Sequence, residues 1–171
     1  MEIRSLYEFA KQQNIEVLSY PMPRNGSMSL MLEDGDCVIG LDESVRDGGV
    51  QERVHLSHEL GHCITGSFYN RYAAVDYRQR HENRANKWAI QALIPVEELD
   101  DAIASGCTEV WELAERFQVT EEFIHMLTHQ PKPESNDLYD KMTPFFSIFF
   151  DNGFSSEHYG TEMYVWMDEP D

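Results

Sequence analysis

The sequence predicts an α+β fold in which a small antiparallel sheet comes first and a series of helices follows. The chain has 171 residues, of which 42% are hydrophobic and 26% charged, so it is long enough for one domain with a buried core. Apolar and polar residues alternate on both sides of Asp34-Gly35, which is the pattern of a β-hairpin. Between residues 50 and 130 apolar residues recur every three or four positions, as they do in amphipathic helices.

The first elements lead into and through the hairpin. A helix is expected over residues 2–13, because its apolar residues share one helical face. A strand is expected over residues 15–20, where Pro21 stops it. The two hairpin strands are expected at residues 28–32 and 37–41.

Five further helices are expected after the hairpin. Apolar stripes, N-terminal threonines and Gly or Pro stops set their bounds. Residues 67–80 are aromatic, basic and irregular, and separate the first two of these helices. The expected bounds are 50–66, 81–93, 95–104, 108–117 and 120–127.

The composition changes beyond Pro131. Residues 131–171 hold nine of the twenty aromatic residues, and nine acidic residues against two lysines. We therefore expect three segments: a core over residues 1–94, a helical segment over residues 95–130, and an acidic, aromatic extension over residues 131–171.

Net charge and cysteine usage exclude several classes of protein. The net charge is −18 and the pI about 4.6, so the chain repels phosphate backbones and direct nucleic-acid binding is not expected. No apolar run approaches the ~18 residues of a membrane span, and the N-terminus lacks the pattern of a signal peptide. Three sparse cysteines, Cys37, Cys63 and Cys107, then predict reduced thiols in a cytoplasm.

The most informative segment is an H-E-x-x-H motif, His58-Glu59-Leu60-Gly61-His62, inside a predicted helix. Residues four apart lie on one face of a helix, so both imidazoles can reach a single zinc ion. Glu59 lies beside them and can accept a proton from water. A chance occurrence would instead leave two solvated histidines on a helix face. Gly61 would let another backbone approach this helix closely.

A zinc peptidase site needs a third protein ligand, and Glu82 is the best candidate. It precedes the apolar stripe of the next helix, with Asn86 one turn later to orient a ligand histidine. The alternative to a ligand role is an ordinary charge near a helix N-terminus. His81 and Asp76 are rival ligands.

Other residues near the motif have less specific roles. His55 shares the face of the two histidines and either supports the site or is a partly buried histidine of the core. One of Tyr69, Tyr72 and Tyr77 can stabilise an oxyanion, although the spacing selects none of them and aromatic packing is the default. The cysteines lack C-x-x-C spacing, so no separate structural zinc site is expected.

Three elements in order resemble the ImmA/IrrE family of bacterial and phage metallopeptidases. They are the helix containing H-E-L-G-H, the helix containing Glu82-Asn-Arg-Ala85-Asn86 and ending near Pro95, and the segment Leu113-Ala114-Glu-Arg-Phe117-Gln-Val119-Thr120. The resemblance covers roughly residues 1–130. His55 and Ser57 depart from the residues common in the family, and residues 131–171 have no recognised counterpart.

The resemblance implies a minimal zincin-like fold, with a catalytic core over residues 1–94 and a helix-turn-helix-like segment over residues 95–130 packed on it. It implies a cytoplasmic, zinc-dependent endopeptidase that cleaves or inactivates a protein partner, often a DNA-binding repressor of a phage or mobile element. His58, His62 and Glu82 would then be the Zn²⁺ ligands and Glu59 the general acid and base. No membrane partner is implied.

Two questions stay open from the sequence. The segment 108–129 holds five glutamates against one arginine, so it is expected to pack on the core or to dock a protein rather than to bind DNA. The alternative function is a non-catalytic protein-binding module, an antirepressor or a toxin–antitoxin component, on the same fold. For a peptidase, a strand of the hairpin is expected to pair with extended substrate.

Overall fold

A computed structural model describes residues 1–22, 26–70 and 72–129 of the chain. The α+β class is confirmed: six helices and one three-stranded sheet lie within this part. The elements are α1 (Ile3–Gln12), β1 (Glu16–Ser19), β2 (Ser27–Met31), β3 (Cys37–Leu41), α2 (Val50–Thr65), α3 (Val75–Leu93), α4 (Val96–Ala104), α5 (Val110–Phe117) and α6 (Glu121–His129).

The sheet has the order β1-β3-β2, and it is mixed rather than wholly antiparallel. Strands β2 and β3 form the predicted antiparallel hairpin, whose turn contains Gly35 with a φ of +91°. Strand β1 pairs with β3 in parallel, which corrects the expectation of an antiparallel sheet. The alternation of apolar residues predicts a strand and its buried face, but it does not specify the direction of its neighbour.

One face of the sheet packs against α2 and the other is exposed. Ile39, in the central strand, is fully buried on the helix side. Leu18 and Met28 flank Gly40 in the next row of the sheet and are 42% and 38% exposed, because alternate residues of a strand point to opposite faces. β2 lies at the edge, with one backbone side unpaired in the described residues.

Helices α2 and α3 form the core that supports the sheet. Leu56 and Leu60 of α2 and Ala85 and Ala89 of α3 are fully buried. α3 begins at Val75, six residues before the predicted start, so Glu82 lies inside the helix. Its first turns are exposed and carry no apolar stripe, which is the signal on which the prediction depended.

Helices α4 to α6 pack in the same compact unit, which comprises Met1–Leu127. The buried Arg53 of α2 holds the C-terminal end of α5: its Nη1 donates to the carbonyls of Phe117 and Gln118 (2.6 Å for the latter), while its Nε donates to the Met1 carbonyl (2.8 Å). The boundary predicted at residue 94 stays a prediction, and the extension over residues 131–171 lies outside the described residues. No helix in the described part is both long and apolar enough to cross a bilayer.

A disulfide joins Cys37 of β3 to Cys63 of α2, with a Cα–Cα distance of 6.0 Å. The prediction of reduced thiols is therefore wrong for these two cysteines, whereas Cys107 is free. They are 26 residues apart in sequence, and only the packing of the strand on the helix brings them together. Sequence spacing alone therefore could not indicate this pair.

Candidate metal centre

Two imidazoles lie one turn apart on the face of α2 that points away from Leu56 and Leu60. The Nε2 atoms of His58 and His62 are 3.1 Å apart, and the two rings meet edge to face. His62 is buried and His58 partly buried. Both Nε2 atoms therefore point toward the same small volume, as the i, i+4 spacing predicts.

Glu82 of α3 completes the cluster from the neighbouring helix. Its Oε2 lies 3.3 Å from His58 Nε2, and its Oε1 lies 3.3 Å from His62 Nε2. Donor atoms of the three residues all lie within 4.8 Å of one another. Ligands of a tetrahedral zinc ion, at bond lengths of about 2.0–2.1 Å, are separated by about 3.3 Å, so this donor set and spacing fit zinc.

The remaining imidazole nitrogens are held by hydrogen bonds. The Nδ1 of His62 is 2.6 Å from the Ser67 carbonyl oxygen, which can only accept, so Nδ1 carries a proton and Nε2 is the nitrogen that faces Glu82. The Nδ1 of His58 is 2.8 Å from Oδ1 of Asn86, at the position expected to orient a ligand histidine. Both rings are thereby fixed with Nε2 toward Glu82.

The charges of this cluster support one another. Burial opposes protonation of His58, but hydrogen bonds and the charges of Glu82 and Glu59 outweigh it and raise the pKa of His58 to about 9. Burial likewise disfavours the charged Glu82 carboxylate, but His58 and His62 outweigh it and hold the pKa of Glu82 well below its usual range. A metal cation entering here would meet a carboxylate and would displace a proton.

Tyr69 contacts the cluster from the segment that joins α2 and α3. Its hydroxyl donates a hydrogen bond of 2.5 Å to Oε1 of Glu82. Burial and this hydrogen bond raise the pKa of Tyr69 well above its usual range, so the phenol keeps its proton. Tyr72 and Tyr77 are 78% and 48% exposed. The structure therefore places Tyr69, of the three tyrosines, against a member of the cluster.

Glu59 lies beside the cluster and is 5% exposed. The hydroxyl of Ser27, the first residue of β2, donates to its Oε1 over 2.7 Å. The same hydroxyl lies 2.9 Å from Nδ1 of His55, whose pKa is lowered by burial. The predictions from the sequence do not include Ser27. Only its position at the start of a hairpin strand could have indicated a contact with α2.

The two rival ligands lie elsewhere. His81 is buried against the ring of Tyr77, with ring centroids 4.4 Å apart, and its Nδ1 has no hydrogen-bond partner within the described part of the chain. Asp76 is exposed in the first turn of α3 and pairs with Arg80 over 3.8 Å. Neither residue belongs to the group of potential ligands formed by the other three.

Comparison with known proteins agrees with this geometry. Residues 10–128, well over half of the chain, match the M78 peptidase family, described as the IrrE N-terminal-like domain. No individual curated protein matches the chain significantly. The matched range includes the sheet, both helices of the candidate metal centre and the helices that follow. The chain therefore belongs to the IrrE-like M78 family of metallopeptidases.

Proposed function

We propose that the protein is a zinc-dependent endopeptidase that cleaves a protein partner, with a DNA-binding repressor of a phage or mobile element as the expected target. The observation that carries the proposal is the convergence of His58, His62 and Glu82 beside the buried carboxylate of Glu59. Two imidazoles and one carboxylate leave one position of a tetrahedral zinc ion open, which is the arrangement of catalytic rather than structural sites.

In this proposal His58, His62 and Glu82 hold the metal, and Tyr69, Asn86 and the Ser67 carbonyl orient them. Bound zinc supplies Lewis acidity, which polarises a carbonyl and favours ionisation of water. Glu59 takes a proton from the attacking water at its carboxylate and delivers it to the leaving amine nitrogen.

The edge strand β2 is the proposed place for the substrate backbone. Its unpaired side runs from Ser27, which touches Glu59, so a peptide added there in extended form would pass the reacting groups. The exposed side chains of Met28 and Leu30 on the outer face offer apolar contacts nearby. The net charge of −18 favours a basic partner, which is the charge character of a DNA-binding repressor.

The first test is the metal content of purified wild-type protein, His62→Ala and, as a matched control, His125→Ala on α6. We expect about one zinc per chain in the wild type and the control, and loss of zinc in His62→Ala. Absence of bound zinc in the wild type after zinc is supplied would contradict the proposal and favour the non-catalytic binding module.

The second test separates catalysis from binding. Glu59→Gln should keep zinc and lose cleavage of a quenched-fluorescent peptide library and of purified helix-turn-helix repressors, because the amide cannot accept the proton. A binding module would keep its function in this variant. Cleavage at the wild-type rate by Glu59→Gln would remove Glu59 from the proposed mechanism.

A cytoplasmic location is part of the proposal and sets a condition on Cys37 and Cys63. In that compartment the thiol pool keeps most cysteine pairs reduced. Alkylation of thiols in intact cells, followed by mass spectrometry, measures the state of this pair. Complete alkylation of both cysteines would show that the pair is reduced in the cytoplasm.

A further inference from the structure

One hydroxyl group on the sheet touches two side chains of the metal-centre helix. Ser27 Oγ lies 2.7 Å from Oε1 of Glu59 and 2.9 Å from Nδ1 of His55, which are one turn apart on α2. The backbone fixes the place of Ser27: it pairs in register with the fully buried Leu41, and the Gly26 carbonyl before it accepts from the Asp42 amide (2.9 Å). The hydroxyl is therefore held at α2 by the strand itself.

The direction of the two hydrogen bonds follows from chemistry. The hydroxyl of Ser27 donates its one proton to Oε1 of Glu59. The oxygen of Ser27 then accepts from Nδ1–H of His55. The result is a chain of donors from His55 through Ser27 to Glu59, in which each hydrogen bond polarises the next.

This chain of hydrogen bonds acts on Oε1 of Glu59 and leaves Oε2 without a hydrogen bond among the described residues. Tying Oε1 to a hydroxyl fixed by the sheet limits rotation of a side chain with three torsion angles, and Oε2 remains for the proton that catalysis must move. We propose that Ser27 is a positioning residue that aims Glu59 for proton transfer, with His55 fixing the hydroxyl. The inference rests on the proposed peptidase function.

The chain offers a close control for this role. Ser29 lies two residues along β2, on the same side of the strand and equally half-buried, and makes no side-chain hydrogen bond within the described residues. Ser29→Ala therefore removes the same hydroxyl group from the same strand without touching Glu59. Ser27→Thr keeps a hydroxyl at the site, whereas Ser27→Cys keeps the shape but replaces it with a weak donor.

The kinetic experiment uses the zinc-loaded full chain and a peptide selected from a quenched-fluorescent library. We expect Ser27→Ala and Ser27→Cys to lower kcat by about 10- to 100-fold, the usual effect of groups that orient active-site residues, with KM changed less than about twofold. Ser27→Thr should keep most of the wild-type kcat. Ser29→Ala, which lies in the strand proposed to hold substrate, serves as the control for zinc content and for the resonances of Glu59. Zinc content should stay at the wild-type level in all four variants, because Ser27 touches no metal ligand.

A second readout does not need catalysis. In the zinc-free wild-type protein, NMR should show a protected Nδ1 proton on His55, and the carboxyl carbon of Glu59 should shift in Ser27→Ala but not in Ser29→Ala. Unchanged resonances in Ser27→Ala, or an unchanged kcat, would overturn the positioning role while leaving the peptidase function intact. If the Glu59 resonance shifts in Ser27→Ala but the wild-type protein binds zinc and cleaves no peptide, the peptidase function is overturned, and with it the positioning role of Ser27 in proton transfer.

Discussion

The close approach of Ala85 in α3 to Gly61 in α2 predicts the effect of Gly61→Ala. A Cβ atom at Gly61 would lie 2.4 Å from the carbonyl oxygen of Ala85 and 2.9 Å from its Cα, both of them backbone atoms that cannot rotate away. Ordinary contacts between such atoms begin near 3.4 Å, so the helices would have to separate by roughly 1 Å.

That separation acts on the candidate metal centre because its proposed ligands are divided between the two helices. Glu82 would move away from His58 and His62, whose distances to it are both 3.3 Å. Overpacking costs about 1–3 kcal/mol, whereas alanine gains about 1 kcal/mol over glycine inside a helix, so the net loss of stability is about 0–2 kcal/mol. Loss of the correct ligand orientation is expected to weaken zinc binding by about 10- to 100-fold.

Competition with a chromophoric chelator measures the zinc affinity and is the more sensitive assay. Urea unfolding of the zinc-free protein measures the change in the free energy of unfolding. Gly40→Ala is the control, because its Cβ would meet the terminal methyl of Met22 (2.9 Å), which can move aside. We expect wild-type zinc affinity in the control and weak affinity in Gly61→Ala. Equal affinities in the two variants would refute the argument that this glycine sets the ligand spacing.

Three other predictions concern the same region. The pKa of His58 is about 9, against an ordinary 6.5, so protonation of His58 stabilises the zinc-free protein fully below pH 6.5 and this contribution is lost as the pH rises to 9. Thermal unfolding of the zinc-free protein should therefore occur at a lower temperature at pH 9 than at pH 6.5. An unfolding temperature that does not change with pH would contradict this prediction. Cys37→Ser should lower the free energy of unfolding by about 3 kcal/mol under oxidising conditions, because loss of the disulfide to Cys63 opens a loop of 26 residues. Cys107→Ser should leave the free energy of unfolding unchanged, because Cys107 is a free thiol. Equal losses of stability for the two variants in urea unfolding would count against the disulfide. Tyr69→Phe should weaken zinc binding by about tenfold through loss of its hydrogen bond to Glu82, with Tyr72→Phe as the control, and a chelator competition that shows no difference would exclude that role.

Local geometry explains which parts of this structure the sequence could predict. The spacing of His58 and His62 specifies one helix face, because helical periodicity depends on neighbours in the chain. The hairpin around Gly35 and the end of α2 at Gly66 are likewise local, since both depend on turn chemistry. Glu82 required a further argument, from the apolar stripe that follows it.

Three features that escaped prediction depend on contacts distant in sequence. The parallel pairing of β1, the disulfide between Cys37 and Cys63, and the hydrogen bond from Ser27 to Glu59 each join different elements. No periodicity within one element records such a contact. The early start of α3 was missed for another reason, namely that its first turns are exposed and polar.

Because the proposed ligands come from two helices, a bound zinc ion would also be a cross-link between them. Ligand binding to the folded state adds RT ln(1 + [L]/Kd), about 4 kcal/mol when free zinc is 1,000 times Kd, which is a large share of the 5–15 kcal/mol that holds a typical domain folded. A cell that withdraws zinc would therefore loosen α3 from α2 and expose the chain to degradation. The lifetime of the protein would then follow zinc supply, so its abundance as well as its activity would depend on the metal.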